Sequence, residues 1–164
     1  MLFRSGTNPR VVNVTGGENK PGPIDTDNLQ AEKGFKGLMT YGHSKSILEG
    51  VSMALADKLE PDSVTVNVVF PGQASTSMTG SLSLDHLPGL MKLFYPIFWL
   101  MFRDDGGKSA KKASTSTVFA ATSAELDGVT GKFFDSKATG QELDPTAYDS
   151  QVQAKIIQTI EGAS

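Results

Sequence analysis

The sequence contains no cysteine, and this absence narrows the chemistry available to the protein. Disulfide bonds, thiolate metal sites and cysteine nucleophiles are all excluded, and we predict no metal site. A chain without cysteine is compatible with the reducing cytosol, and we expect a cytoplasmic location.

The sequence also lacks a large excess of charge of either sign. The 164 residues include 15 basic and 18 acidic side chains, for a formal net charge of −3. The basic residues are scattered, and the largest cluster, Lys108, Lys111 and Lys112, is small enough to be a solvated helix face. We therefore expect no nucleic-acid partner.

A third absence is a long hydrophobic run. The longest one, LMKLFYPIFWLMF at 90–102, contains Lys92 and Pro96 and is shorter than the roughly 20 residues that a bilayer span requires. The surrounding stretch, 87–102, is predicted to be helical and rich in aromatic and methionine side chains. It suits a lid over a lipophilic ligand or peripheral contact with a membrane surface, and an ordinary core helix is an equal alternative.

The remaining pattern is that of a single α/β domain spanning residues 1–164. Strands are predicted at RVVNV (10–14), SVTVNVVF (63–70) and GKFFDS (131–136). Besides 87–102, helices are predicted over about 40–59, 107–123 and 145–160. Because strands alternate with helices of this length, the strands are expected to be parallel.

The segment TYGHSKS at 40–46 has two incompatible interpretations. Centred on Ser44, it lacks one residue of the G-x-S-x-G elbow of a serine hydrolase, because Ser46 stands where the second glycine belongs. That interpretation also needs a downstream histidine, for which His86 is the sole candidate. A serine hydrolase at Ser44 is therefore the remote alternative.

The second interpretation centres on Tyr41 and Lys45, which lie one helical turn apart. A free phenol titrates near pH 10, so a nearby cation is needed to favour the phenolate at neutral pH. Tyr41 could then exchange a proton with a carbonyl or hydroxyl oxygen. On its own, a tyrosine and a lysine at this spacing would more often be a surface pair.

Several segments around this pair resemble the C-terminal half of the short-chain dehydrogenase/reductase family, in its retinol-dehydrogenase-like branch. RVVNVTGG is similar to the R-I-V-N-V-S-S strand, DNLQAEK to the N-L-Q-x-E-K loop and YGHSKSILEGVSMALADKL to the Y-x-x-S-K helix. VTVNVVFPGQASTSM matches the V-x-V-N-x-x-x-P-G-x-x-x-T segment, and GVTGKFFDSK resembles the closing strand. The resemblance implies a partial Rossmann-like, doubly wound parallel sheet made of three C-terminal strands with flanking helices.

The resemblance also implies a function. It predicts an NAD- or NADP-dependent oxidoreductase that interconverts an alcohol and a carbonyl on a lipophilic substrate. Tyr41 would be the catalytic acid/base, and Lys45 would favour its phenolate and contact the nicotinamide ribose. The cofactor would be lined by Tyr41, Lys45, Pro71, Gly72, Ala74 and Thr76. The helix that carries Tyr41 is a common dimerisation helix in the family, so a homo-oligomer is implied too.

The sequence departs from the family in two ways. The position of the catalytic serine is occupied by Gly16, which leaves Thr15 from a shifted backbone, or a backbone donor, as the replacement. No glycine-rich G-x-x-x-G-x-G turn or N-N-A-G segment occurs. We therefore expect the domain to be truncated and to lack the N-terminal half that binds most of the cofactor. The edge of RVVNV is then expected to be exposed. The alternative to an active enzyme is therefore a non-catalytic remnant or interaction module.

Overall fold

The computed structural model describes residues 6–16, 22–35, 37–72, 96 and 108–162. In chain order, these residues form β1 (Arg10–Val14), α1 (Gly37–Leu59), β2 (Thr65–Val69), α2 (Lys108–Thr122), β3 (Phe133–Phe134), β4 (Gly140–Gln141) and α3 (Ser150–Gly162). Short 3-10 turns occur at Glu60–Asp62, Ala124–Leu126 and Pro145–Tyr148.

The strands form one sheet in the order β1-β2-β3-β4. β1 and β2 run parallel with Arg10 opposite Thr65 and Val14 opposite Val69, and β3 continues the parallel arrangement next to β2. The predicted α/β class and the three predicted strands are thus confirmed. The prediction missed β4, a two-residue antiparallel strand of exposed Gly140 and Gln141, because it carries no apolar pattern.

Helices cover both faces of the sheet. Side chains alternate between the faces along a strand, and Val68 packs in a cluster with Met53 of α1 whereas Val69 packs with Ala120 of α2. α3 also packs against α1. All five residues of β2 are buried, as expected for a parallel strand covered on both sides.

β1 is an edge strand within the part of the chain that the structure describes. Its residues are only partly buried although they are mainly valines, and Val14 is 42% exposed. An apolar strand with one unpaired edge is a ready template for pairing with another strand.

The predicted helix boundaries hold for α1 and α2 to within three residues, whereas the C-terminal helix starts later than predicted. Pro145–Tyr148 forms a separate 3-10 turn with Asp144 as its cap, and Asp149 then caps α3 by accepting from the amides of Gln151 and Val152. The predicted helix over 87–102 lies outside the described residues apart from Pro96. Among the helices that are described, none has the length and apolar character to cross a bilayer.

Asn67 joins β2 to the loop that leads into β3. Its side chain is 1% exposed, its amide donates to the carbonyl of Val129 at 2.7 Å and its oxygen accepts from the amide of Lys132 at 3.0 Å. One side chain therefore satisfies two backbone groups of the loop that sets the start of β3.

We predict that Asn67→Ala lowers the free energy of unfolding by about 3 kcal/mol, because it leaves two backbone groups without partners in a buried setting. Urea denaturation measures this change. Asn28→Ala is the matched control, since Asn28 accepts one exposed hydrogen bond from the amide of Lys33. Equal losses in the two variants would contradict the bridging role of Asn67.

Candidate active site

The candidate site lies where β1 and β2 end. Thr15 and Gly16 follow β1, Pro71 and Gly72 follow shortly after β2, and the amide of Thr15 donates to the carbonyl of Val69 at 2.9 Å. Because the two strands are parallel and adjacent, both sets of residues lie at the same edge of the sheet. In open α/β sheets, this carboxyl edge is where ligands bind.

Helix α1 presents Tyr41 and Lys45 together. The Lys45 ammonium nitrogen lies 5.5 Å from the centroid of the Tyr41 ring, within the range of a cation–π interaction. Tyr41 is 38% exposed, so solvent or a small molecule can reach its ring. The structure therefore brings the two predicted catalytic residues into contact, whereas their catalytic roles remain predictions.

The phenol of Tyr41 packs directly on Gly16, at the end of β1. A Cβ atom built on Gly16 would lie 2.8 Å from both Cε1 and Cζ of Tyr41, and closer still to the phenol oxygen. The ring thus fills the volume that a side chain at position 16 would need. The sequence identified Gly16 as a missing serine but gave no sign that Tyr41 would occupy the space.

Thr15, the residue before Gly16, is already hydrogen-bonded to α1. Its side chain is buried and its hydroxyl donates to the carboxylate of Glu49 at 2.6 Å. To contact a substrate, the hydroxyl of Thr15 would first have to leave Glu49. Its suggested catalytic role stays a prediction that this hydrogen bond does not favour.

Glu49 is a residue of the site that the sequence analysis missed. It follows Lys45 by one helical turn, and a glutamate at such a position is usually solvent-exposed. In the structure it is 1% exposed and points to the sheet. Burial raises the pKa of Glu49, and the charge of Asp144 raises it further, whereas the Thr15 hydrogen bond opposes the shift.

The raised pKa of Glu49 predicts a pH-dependent stability. The folded state holds the Glu49 proton more tightly than the unfolded chain, in which the pKa is near 4.5. Proton binding at Glu49 therefore adds to the free energy of unfolding in full below pH 4.5, and this addition is lost as pH rises through the folded-state pKa. Glu49→Gln keeps an acceptor for Thr15 but removes the charge. We expect Glu49→Gln to melt at a higher temperature than the wild type at pH 8.

This difference in melting temperature should shrink toward pH 4, as thermal denaturation across that range will measure. Glu125→Gln, at an exposed carboxyl, is the control and should follow the wild-type profile. A Glu49→Gln variant that is less stable than the wild type at pH 8 would show that the ionised carboxylate stabilises the fold.

The predicted cofactor-lining residues are only partly described. Gly72 has a φ of 91°, a conformation that other residues rarely adopt, and a Cβ there would lie 3.1 Å from Cβ of Ser136. Glycine is therefore favoured at position 72, directly after Pro71 at the carboxyl edge. Ala74 and Thr76 lie outside the described residues.

The loop over residues 22–35 is anchored near the site by hydrogen bonds and an ion pair. The amide of Asp25 donates to Nε2 of His43 at 3.0 Å, the amide of Ile24 donates to the hydroxyl of Thr146 at 3.0 Å, and Lys155 pairs with Asp27 at 2.8 Å. His43 follows Tyr41 by two residues on α1. The loop thereby connects the start of α1 to α3.

The hydrolase interpretation finds no support. Ser44 lies inside α1 and its hydroxyl donates to the carbonyl of Tyr41 at 2.7 Å. A nucleophile elbow requires a sharp turn from strand to helix, which a mid-helix serine does not provide. His86 lies outside the described residues.

A cavity of about 470 Å³ lies at the opposite end of the sheet, beside the starts of β1 and β2. Its lining includes Pro9, Ser63, Thr65 and Thr130. Since the strands are parallel, this amino edge is remote from Tyr41. Its position does not match that of a ligand site in an open α/β sheet.

A mostly parallel sheet with helices on both faces, and polar side chains gathered at its carboxyl edge, defines a Rossmann-like α/β protein. Comparison with known proteins gives the family. The family model described as short chain dehydrogenase matches residues 12–86.

Among individual proteins, the chain is similar to human (Homo sapiens) retinol dehydrogenase 14, with 32% identity over 157 residues that cover 94% of this chain and 44% of the relative. It is 27% identical to polyprenol dehydrogenase of Mus musculus over 154 residues, 92% of this chain and 43% of the relative. The chain thus belongs to the short-chain dehydrogenase family and spans less than half the length of these curated relatives.

Proposed function

We propose that the protein takes part in the NAD- or NADP-dependent interconversion of an alcohol and a carbonyl compound. One observation carries the proposal. The Tyr41 phenol contacts Gly16 at the carboxyl edge of the sheet, and the Lys45 ammonium lies 5.5 Å from the centroid of the Tyr41 ring. A proton donor, a cation and the ligand-binding edge of the fold are thereby joined in one place.

Tyr41 is the group proposed to move the proton. In the reducing direction its hydroxyl donates a proton to the carbonyl oxygen, and in the oxidising direction the phenolate accepts one from the alcohol. The Lys45 ammonium stabilises the phenolate through its positive charge. The partial exposure of Tyr41 is what this role requires, because the substrate oxygen must reach the phenol.

The described residues fit the nicotinamide end of the cofactor. Gly16 and Gly72 keep the backbone free of side chains just after β1 and β2, and Lys45 supplies a donor beside the Tyr41 ring. When bound, the cofactor supplies or accepts the hydride. Tyr41, Lys45, Pro71 and Gly72 would hold its nicotinamide side, and Ala74 and Thr76 are proposed to extend the same surface.

The substrate class is proposed to be lipophilic. Two of the relatives are named for retinol and polyprenol. Peripheral membrane contact through residues 87–102 and homo-oligomer formation through α1 are part of the same proposal. Both follow from the apolar character of that segment and from the family resemblance of the helix.

A non-catalytic remnant or interaction module is the second candidate. The free edge of β1 favours it, because Val14 is 42% exposed and β1 has one strand neighbour within the described residues. Binding of the nicotinamide cofactor separates the two candidates.

We predict that the purified chain binds NADH or NADPH, followed by nicotinamide fluorescence, and that Lys45→Ala weakens the binding about tenfold or more. Loss of one hydrogen bond to a charged group costs roughly 1.5–3 kcal/mol, and 1.4 kcal/mol corresponds to a factor of ten. Lys58→Ala, an exposed lysine in the last turn of α1, is the matched control and should bind as the wild type does.

Tyr41→Phe separates binding from proton transfer. It keeps the ring beside Lys45 and removes the hydroxyl, so we expect near-normal cofactor binding and a reduction rate for a long-chain aldehyde that falls by about 10²–10⁴. A chain that is folded by circular dichroism and binds neither cofactor would refute activity for this polypeptide. It would leave the interaction module as the better account.

A further inference from the structure

We propose that Gly16 is a positioning residue, which admits the Tyr41 phenol to the backbone at the end of β1 and so sets where the phenol hydroxyl stands. The inference rests on the proposed function, because position matters for catalysis only if Tyr41 transfers the proton. Position 16 then controls whether the phenol hydroxyl lies against the carboxyl edge or is displaced from it.

Backbone conformation does not account for a glycine at this position. The described glycines with a left-handed φ include Gly72 and Gly131, whereas Gly16 has its φ outside that region. Any residue could adopt the backbone of Gly16. The need for glycine therefore comes from space.

The space is taken by Tyr41. A Cβ at position 16 would lie 2.8 Å from Cε1 and Cζ, closer than carbon atoms approach without repulsion, and the phenol oxygen would be nearer still. Even alanine is too large for the present ring position. Serine would add a hydroxyl to the same crowded volume.

The backbone that leads into Gly16 is held in place, because α1 contacts the end of β1 through two polar side-chain hydrogen bonds. The Thr15 hydroxyl donates to Glu49 at 2.6 Å, and the side-chain amide of Asn13 donates to the hydroxyl of Ser52 at 2.8 Å. The amide of Thr15 is also held by the carbonyl of Val69 at 2.9 Å. A side chain at position 16 would therefore move the ring and leave the strand in place.

Moving the ring changes the site in two ways. The hydroxyl leaves the carboxyl edge, and the ring leaves its position beside the Lys45 ammonium. Gly16 stands where the family resemblance places a serine, and the Tyr41 hydroxyl lies in the volume that the missing side chain would need. The phenol would both hold the substrate oxygen and exchange its proton.

The contact is tested by a double-mutant cycle on thermal stability. Gly16→Ala should lower the melting temperature by several degrees in the wild-type chain and by almost nothing in a Tyr41→Ala chain, where the space is free. In a Tyr41→Phe chain most of the cost should remain, because Cε1 and Cζ are retained. Gly140→Ala is the control, since a Cβ there meets nothing within 4 Å.

The position of the phenol is tested by its reactivity. Gly16→Ala should push the ring outward, so Tyr41 should be nitrated by tetranitromethane several times faster than in the wild type. Peptide mass spectrometry reads the modification, with Tyr148, 42% exposed, as the reference within the same molecule. Gly140→Ala should leave the ratio of the two rates unchanged.

Coupling in the cycle together with faster nitration of Tyr41 would support the proposal. Additive stability effects, or an unchanged nitration ratio in Gly16→Ala, would overturn it. Neither measurement needs a cofactor or turnover. If the variants show both effects and the wild-type chain binds no nicotinamide cofactor, the proposed function is refuted and the placement of the ring by Gly16 is still supported.

Discussion

The docking of α1 onto the end of β1 is the contact on which the rest of the site depends. Two consecutive residues of the strand end are held by one helix, because Glu49 accepts from Thr15 and the Tyr41 ring covers Gly16. Glu49 and Tyr41 are two helical turns apart, so the helix is fixed along its length. Any change in this interface would move the Tyr41 phenol relative to the carboxyl edge of the sheet.

The same interface contains an unfavourable element. Glu49 is buried without an ion pair among the described residues, and burial raises its pKa. We expect a neutral side chain to pack there at lower cost, so that the ionised carboxylate lowers stability at neutral pH while it gives Thr15 a strong acceptor. Residues that lower stability in this way often lie at functional sites. Glu49 fits this tendency, because it lies one helical turn from Lys45 of the candidate catalytic pair.

Much of the architecture follows from the sequence because its signals are local. RVVNV and TVNVV are rich in β-branched residues, and the apolar spacing of α1 is that of a helix, so their existence and class could be predicted. The start of α3 could not, since it depends on which of two aspartates, Asp144 or Asp149, caps the helix. β4 has no apolar pattern and exists because its partner, β3, is in place.

Part of the site was predictable because its signal is also local in the sequence. Tyr41 and Lys45 share a helix face by their spacing alone, whereas the burial of Glu49 and the closeness of Tyr41 to Gly16 depend on how α1 sits on β1. That geometry joins residues 25 or more positions apart. No local pattern encodes it, and a glutamate on a helix or a glycine after a strand looks ordinary in the sequence.

The most direct test of the account is a crystal structure of this chain grown with NADPH. The account predicts a nicotinamide ring at the carboxyl edge of β1 and β2, in contact with Tyr41 and Lys45. Ordered cofactor bound elsewhere, such as the cavity at the starts of these strands, would contradict the assignment of the active site.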